Sequence, residues 1–285
     1  MRAPFVPSRR RPGRSPGLAA PLCALLLAAL PATVMAQVLA QAIPSQYDLQ
    51  LEPGKGESRP LYLHNMGRER VKVRLRLADF RMSARGALDL LPAGTLPSTL
   101  ARHLKFEPAE FELAPGDRQV VRVEMTIPRD GPATRFGVIL SRVTAAGPDA
   151  ANDASVPAEL GTTLFLTRAP RSRIRAELVG CETRVSADGT VSLEVRVRNR
   201  SERHAPLSGE VKLSDSTGTR RIGGPLAEGV VLPGASRILA WRGDRPLPPG
   251  RYVATVTVDA GEPELLVGQK DFVIRPRSLQ AARGE

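Results

Sequence analysis

The sequence is poor in cysteine, and this shortage limits how the fold can be stabilised. It has two cysteines in 285 residues, and Cys23 lies in an N-terminal segment that we expect to be removed. Cys181 then has no partner within the mature chain, so an intramolecular disulfide is excluded and stability must come from packed cores. We interpret Cys181 as a small, buried apolar side chain rather than a reactive thiol.

Histidine is equally scarce, with three residues in the chain: His64, His103 and His204. None has a second His, a Cys or a paired carboxylate at the spacing of a metal-ligand set, so we assign all three to surface or capping roles. The sequence also contains no nucleophile elbow, Walker loop or dinucleotide fingerprint. We therefore predict a protein that is not an enzyme, with no catalytic residues, no metal and no cofactor.

Long apolar runs are absent except near the N-terminus, at residues 18–30. A start with five arginines and no acid precedes this run, and Val34-Met35-Ala36 follows it with small residues at the cleavage positions. This pattern predicts a secretory signal peptide, residues 1–36, with a second possible cut after Ala42. No later stretch could span a membrane, so we expect a mature protein in the periplasm, or secreted to the cell surface.

The charge balance is basic, with 41 Lys and Arg against 29 Asp and Glu. Without the five N-terminal arginines, 36 basic side chains still face 29 acidic ones. An arginine-rich surface can hold acidic envelope polymers, although ordinary solvated strand faces are the simpler interpretation. The basic residues are spread along strands without interleaved aromatic residues, which argues against nucleic acid as a partner.

The mature chain is rich in period-two alternation of apolar and polar residues, the pattern of half-buried strands. It occurs in four segments, residues 71–77, 121–127, 191–197 and 252–258. Turn sequences separate such segments, namely Pro53-Gly54, Pro115-Gly116, Asp188-Gly189, Pro233-Gly234 and Pro249-Gly250. Only residues 97–104 are compatible with a short helical turn. The sequence therefore predicts an all-β protein with two immunoglobulin-like sandwiches in tandem after the signal peptide.

The expected boundaries follow from these blocks. The first sandwich should occupy residues 43–168 and the second residues 173–275, joined by a short polar linker that contains Pro170. Residues 276–285 are polar and should form a frayed tail.

One segment resembles a known family. Residues 104–123, LKFEPAEFELAPGDRQVVRV, combine a Pro-containing strand, Leu-x-Pro-Gly and a strand bearing an arginine, Arg122. With RPLYLHN at residues 59–65 and RFGVIL at residues 135–140, the first block is similar to the first domain of PapD-like periplasmic pilus chaperones.

The resemblance implies a non-enzymatic function in which a strand of the chaperone completes the sandwich of a fibre subunit. It also implies a clamp for the subunit's C-terminal carboxylate, made by an Arg on the first strand and a Lys on the last. Here the corresponding segments, QYDLQL at residues 46–51 and AELGTTLFLTR at residues 158–168, contain no residue that matches this clamp. Arg122 is expected to have a structural role, pairing with an acid at the junction between domains.

The leading hypothesis is an exported chaperone or assembly factor that binds a protein subunit of a surface fibre. Binding would use residues 158–168 as an edge strand, with Leu160, Leu164 and Leu166 on one face. An ordinary core-facing strand is the other interpretation of the same three leucines. The alternative function is a structural or envelope-binding protein attached to an acidic glycan or a peptidoglycan-linked partner.

Overall fold

A computed structural model of the chain describes residues 39–146 and 157–276. The signal peptide predicted for residues 1–36 lies outside the described residues. So does the tail predicted for residues 276–285, apart from Pro276.

Every helix or strand within the described ranges is a β-strand, which confirms the all-β prediction. The eighteen strands are β1 (Ala40–Ile43), β2 (Gln46–Leu51), β3 (Gly56–Asn65), β4 (Val71–Met82), β5 (Leu88–Pro92), β6 (Leu104–Glu107), β7 (Glu110–Leu113), β8 (Arg118–Thr126), β9 (Thr134–Ala145), β10 (Ala158–Arg168), β11 (Ala176–Val185), β12 (Val191–Asn199), β13 (Ala205–Asp215), β14 (Arg220–Pro225), β15 (Gly229–Val231), β16 (Ser236–Arg242), β17 (Gly250–Asp259) and β18 (Leu266–Ile274). A helical turn was expected at residues 97–104; instead residues 97–98 and 101–103 form tight turns and Leu104 begins β6.

Strands β1 to β10 form the first sandwich. One of its sheets has the order β1-β3-β8-β6, and the other has the order β2-β10-β9-β4-β5, with β7 also paired to β4. Strands β2 and β10 run parallel, while the other neighbours in these sheets are antiparallel. The two sheets enclose one core, which includes Leu61, Val121, Val123 and Leu164.

Strands β11 to β18 form the second sandwich, with sheet orders β11-β12-β16 and β14-β13-β17-β18 and with β15 paired to β13. Its separate core includes Leu193, Val195, Leu213 and Trp241. Two pairs of sheets around two cores agree with the predicted tandem of sandwiches.

The alternation in the sequence explains which faces these strands bury. In β8, Val121, Val123 and Met125 are fully buried, whereas Arg122 and Glu124 between them are exposed. Successive side chains of a strand point to opposite faces of the sheet, so this pattern places one face on the core and the other in water.

The predicted Pro-Gly turns also form. Gly116 and Gly234 adopt φ angles of 80° and 70°, in the left-handed region that glycine enters without steric cost. Gly250 is different, because it begins β17.

The first two strands belong to different sheets although only two residues separate them. Strand β1 pairs with β3, the chain then crosses at Pro44 and Ser45, and β2 pairs with β10. On the inner face of β2, Tyr47 donates its hydroxyl proton to the carbonyl oxygen of Pro60 in the opposite sheet, at 2.7 Å. Burial raises the pKa of Tyr47 to about 12. The start of the first sandwich therefore ties its two sheets together.

Replacing Leu164 by alanine should destabilise the first sandwich, because this side chain is 0 % exposed. A buried Leu→Ala change costs about 2–5 kcal/mol, from lost burial and from the cavity that remains. Urea unfolding of the protein measures the loss. Val267→Ala is the control, since Val267 is 63 % exposed and should change stability by less than about 0.5 kcal/mol. Equal stability of the two variants would contradict the packing described here.

Candidate functional site: an open strand edge and the junction between the sandwiches

The first half of β10 has a backbone edge without a neighbouring strand. Residues Thr163 to Thr167 pair with both β9 and β2, and Arg168 pairs with β2. Ala158 to Thr162 pair with β9 alone within the described parts of the chain. The cause is the crossing at Pro44, because β2 begins only where the chain has reached the second sheet. We call Ala158 to Thr162 the open edge.

The free hydrogen-bonding groups of the open edge can be identified. The amide of Thr163 donates to the carbonyl oxygen of Ser45 at 3.0 Å, so it points away from β9. Alternate residues of a strand present their N–H and C=O groups to the same side. Glu159 and Gly161 therefore direct their backbone groups toward the unoccupied side of β10.

Small apolar side chains lie beside this edge. Ala158 and Leu160 of β10, with Ala40 and Ala42 of β1, are partly buried and pack against the core of the first sandwich. No strand among residues 39–146 and 157–276 covers the place where the two sheets meet. An added strand could thus bond to the open edge and place its inward side chains over these four residues.

The structure separates the three leucines predicted to contact a partner. Leu164 and Leu166 are 0 % exposed and belong to the core, so a partner cannot reach them in the folded sandwich. This position corrects the prediction of a shared free face and agrees with the core-facing interpretation for these two residues. Leu160, in the half of β10 that β2 does not cover, is only partly buried.

Other sheet edges carry features that discourage the addition of a strand. Edge strand β18 places Lys270 on the same face as the core residues Phe272 and Ile274. Edge strand β11 has a bulge between Leu178 and Gly180. Inward charges and bulges are common protections of exposed edges. The open edge, with the sequence Ala-Glu-Leu-Gly-Thr, has neither.

Arg122 does not lie at the junction between the sandwiches. It is on the outer face of β8, where its side chain is 69 % exposed and bonds to Glu124 at 3.0 Å and to Ser58 at 3.1 Å. The prediction of an acid partner at the junction was wrong for this residue. Strand alternation turns Arg122 away from the core, to the solvent side of its own sheet.

A row of side chains crosses the outer face of the β2-β10-β9-β4-β5 sheet and forms the junction. Asp48 is paired with Phe165, and Phe165 with Phe136. The rings of Phe136 and Phe80 lie 5.2 Å apart, and Phe80 is paired with Leu90. Such aromatic neighbours contribute beyond the area that they bury.

The second sandwich covers this row. Leu232 is buried in the same cluster as Phe80, Phe136 and Phe165, and Val230 and Ala235 pack around it. The row is therefore a third apolar core, built between the sandwiches rather than inside one of them.

His204 connects the second sandwich to the end of the row. It is 2 % exposed, its ring stacks on Phe165 with 4.6 Å between centroids, and Nε2 lies 3.1 Å from Asp48 Oδ2. The surface role predicted for this histidine is therefore wrong, because a polar sequence neighbourhood did not reveal the aromatic face opposite it.

Charge at Asp48 reinforces this contact. Burial raises the pKa of the Asp48 carboxyl, but the hydrogen bond and charge of His204, with the charges of Arg171 and Arg203, lower it overall. Arg171 lies 3.6 Å from Asp48, and Arg203 donates to the carbonyl oxygen of Ser172 at 2.9 Å. The linker between the sandwiches is thus held by cations that also face Asp48.

The turn between β4 and β5 makes a separate contact with the second sandwich. The amide of Ile238 donates to the carbonyl oxygen of Ala84 at 2.7 Å, and Arg85 makes two 2.9 Å bonds to Glu194. Gly86, at φ 89°, leaves space for Arg237, since a Cβ there would lie 1.7 Å from Nη1 of that arginine. Arg85 thus has the structural role that was assigned to Arg122.

The junction had a signal in the sequence. Strands that are buried on both faces lose their alternation and read as continuous apolar runs. Such runs are Leu164-Phe165-Leu166 in β10 and Val138-Ile139-Leu140 in β9, and all six side chains are buried. These apolar runs mark the halves of β9 and β10 that are covered by the second sandwich.

Cys181 is partly buried and packs against the second core, and burial raises the pKa of its thiol. Within residues 39–146 and 157–276, no group of three or more His, Cys, Asp or Glu side chains is placed to hold a metal ion. The same residues include no helix with the length and apolar character needed to cross a membrane.

No protein-family model matches the chain, and no curated protein sequence matches it. Similar solved structures include the CsuC–CsuE chaperone–tip adhesion subunit pre-assembly complex of Acinetobacter baumannii Csu pili, at 10 % identity over 81 % of this chain and 98 % of that chain, with a TM-score of 0.43. Another is the Escherichia coli chaperone DraB, at 15 % identity over 84 % and 99 %, with a TM-score of 0.40. A third is the Salmonella enterica SafA pilin in complex with the SafB chaperone, at 13 % identity over 84 % and 100 %, with a TM-score of 0.40.

At identities of 10–15 % and TM-scores of 0.40–0.43, these similarities carry no argument about the activity of this chain.

Replacing Asp48 by asparagine should weaken the acid dependence of stability. Because folding lowers the pKa of Asp48 below its ordinary value of 3.8, its stabilising contribution is present above that pH and is lost as the pH falls through the folded pKa. Urea unfolding at pH 7 and pH 3 should show a smaller difference between the two pH values in Asp48→Asn than in the parent protein. Asp89→Asn, at an exposed position on β5, is the control. An unchanged difference in Asp48→Asn would contradict this account.

Proposed function

We propose that this protein is a non-enzymatic chaperone or assembly factor, exported to the periplasm, that binds an unpaired β-strand of a surface-fibre subunit at the open edge. The single observation that carries the proposal is the uncovered first half of β10. The sequence resemblance of residues 59–140 supports the class of partner.

The backbone geometry supports strand addition. Glu159 and Gly161 each offer one N–H and one C=O group on the unoccupied side, so an added strand would make up to four main-chain hydrogen bonds. The five residues of the open edge span about 17 Å at 3.3–3.4 Å per residue. Main-chain bonding of this kind supplies affinity, while pockets for alternate side chains supply specificity.

The side chains define the partner strand. Ala40, Ala42 and Ala158 are small and only partly buried, so large apolar side chains of an added strand would cover them. We therefore propose a partner strand with large apolar residues at alternate positions. This arrangement uses none of the basic clamp residues that the family resemblance implies.

The alternative partner, an acidic glycan, has less support from the strand faces. On the outer face of β4, Lys72 and Arg74 pair with Glu110, and Arg76 pairs with Glu159. The hydrogen bonds of Arg74 and Lys72 lower the pKa of Glu110 to about 2. Cations that already have acid partners offer little free charge to a polymer.

Replacing Gly161 by proline should abolish partner capture while leaving the sandwich folded. Proline removes the amide proton at 161, which points away from β9, so the β9–β10 ladder keeps its bonds. Co-expression with fibre-subunit candidates from neighbouring genes, followed by co-purification from the periplasm, measures capture. We expect at least about a tenfold loss in Gly161→Pro, because several main-chain bonds of about 1 kcal/mol each depend on this position.

Gly161→Ala is the matched control. It keeps the amide proton, and its Cβ would meet Val138 at 3.4 Å, an ordinary contact. Capture should therefore be close to that of the parent protein. Equal capture by Gly161→Pro would refute the open edge as the binding site, and failure of the parent protein to capture any subunit would refute the assembly function itself.

A further inference from the structure

Two arginines of the first sandwich converge on one glycine, near the ends of the strands that lead to the linker. Arg168, the last residue of β10, donates from Nη1 to the carbonyl oxygens of Arg129 at 2.7 Å and Gly131 at 3.2 Å. Nη2 of Arg135, at the start of β9, lies 2.9 Å from the position that a Cβ on Gly131 would occupy. The absence of a side chain at Gly131 thus lets the two guanidinium groups approach the same turn.

Further cations surround this pair. Arg135 donates from Nη1 to the carbonyl oxygens of Pro97 and Thr99, at 3.0 and 3.1 Å, in the loop that continues to Arg102 and His103. Burial and the charges of Arg135 and Arg102 lower the pKa of His103. The positive charges of Arg102 and Arg135 therefore both act on His103, which lies close to each of them.

Acids do not balance this cluster. Among the described residues, no carboxylate oxygen lies within 4.0 Å of a side-chain nitrogen of Arg102, Arg129, Arg135 or Arg168. Burial, and then the charge of Arg168, lower the pKa of Arg135. The cluster differs in this respect from the outer face of β4, where the cations have acid partners.

The two central arginines also retain unused donors. Each guanidinium has five N–H groups. In the described structure both arginines bond through Nη1 alone, which leaves Nε and Nη2 of each without a hydrogen bond. Planar groups of this kind bind oxyanions through two parallel bonds, with more geometric specificity than an ammonium group provides.

We propose that Arg135 and Arg168 form a binding site for a tetrahedral oxyanion of the phosphate type. A dianion neutralises both guanidinium groups, and its several oxygens can accept from donors that arrive from two strands. Arg102 and Arg129 add positive charge around it. This site is distinct from the open edge, and its occupant does not depend on the proposed partner strand.

Equilibrium dialysis of the mature protein with radiolabelled inorganic phosphate, in chloride buffer at constant ionic strength, tests the site. We expect one saturable site per molecule. Arg168→Gln should weaken phosphate binding at least about tenfold, since a charge-assisted hydrogen bond is lost. Arg74→Gln is the control, because Arg74 pairs with Glu110 on another face, and it should bind phosphate as the parent protein does.

Arg168 also holds the Arg129–Gly131 turn, so a second variant excludes a purely structural effect. The double change Arg102→Gln and Arg129→Gln leaves all four arginine–carbonyl bonds in place and removes only surrounding charge. It should weaken binding about threefold, the size expected for exposed charges.

Glycerol 3-phosphate in place of inorganic phosphate distinguishes a phosphate ester from the free ion, and saturable binding of either supports the site. The proposal would be overturned if neither inorganic phosphate nor glycerol 3-phosphate bound saturably, or if Arg168→Gln bound phosphate with unchanged affinity. It would also be overturned if chloride displaced phosphate as effectively as unlabelled phosphate does.

Discussion

The structure depends first on a constraint of connectivity: the chain changes sheets within two residues, at Pro44 and Ser45. Strand β1 completes one sheet of the first sandwich, and β2 completes the other only from Thr163 onward. One segment thereby joins both sheets and, within the described residues, leaves the first half of β10 paired on one side only. The closed core and the incomplete edge are two results of the same crossing.

Strands β9 and β10 contribute side chains to two cores, one on each face of their sheet. Their inward residues, such as Ile139 and Leu164, fill the first sandwich, and their outward residues, such as Phe136 and Phe165, meet the second. His204 and the cations of the linker close this contact at Asp48. The half of each strand nearest the linker is therefore buried on both faces, whereas the first half of β10 is partly exposed.

Local patterns were sufficient to predict the fold but not the contacts between sandwiches. Alternation in residues 71–77 and the Pro-Gly turns required only neighbouring residues, and the structure has them. Arg122 was misassigned because a sequence motif does not show which face of a sheet an arginine occupies. His204 was misassigned because its partners, Asp48 and Phe165, are distant in sequence. The core positions of Leu164 and Leu166 were left open, since the crossing that covers them is a feature of topology.

The aromatic row has a consequence for how the chain can be divided. Phe80, Phe136 and Phe165 are buried only because Leu232 and its neighbours cover them. A fragment ending at Arg168 would present three phenyl rings to water on a flat sheet, a surface that favours self-association. Until the second sandwich has folded over this face, the first sandwich is exposed to the same hazard, so the C-terminal half shields the N-terminal half from aggregation.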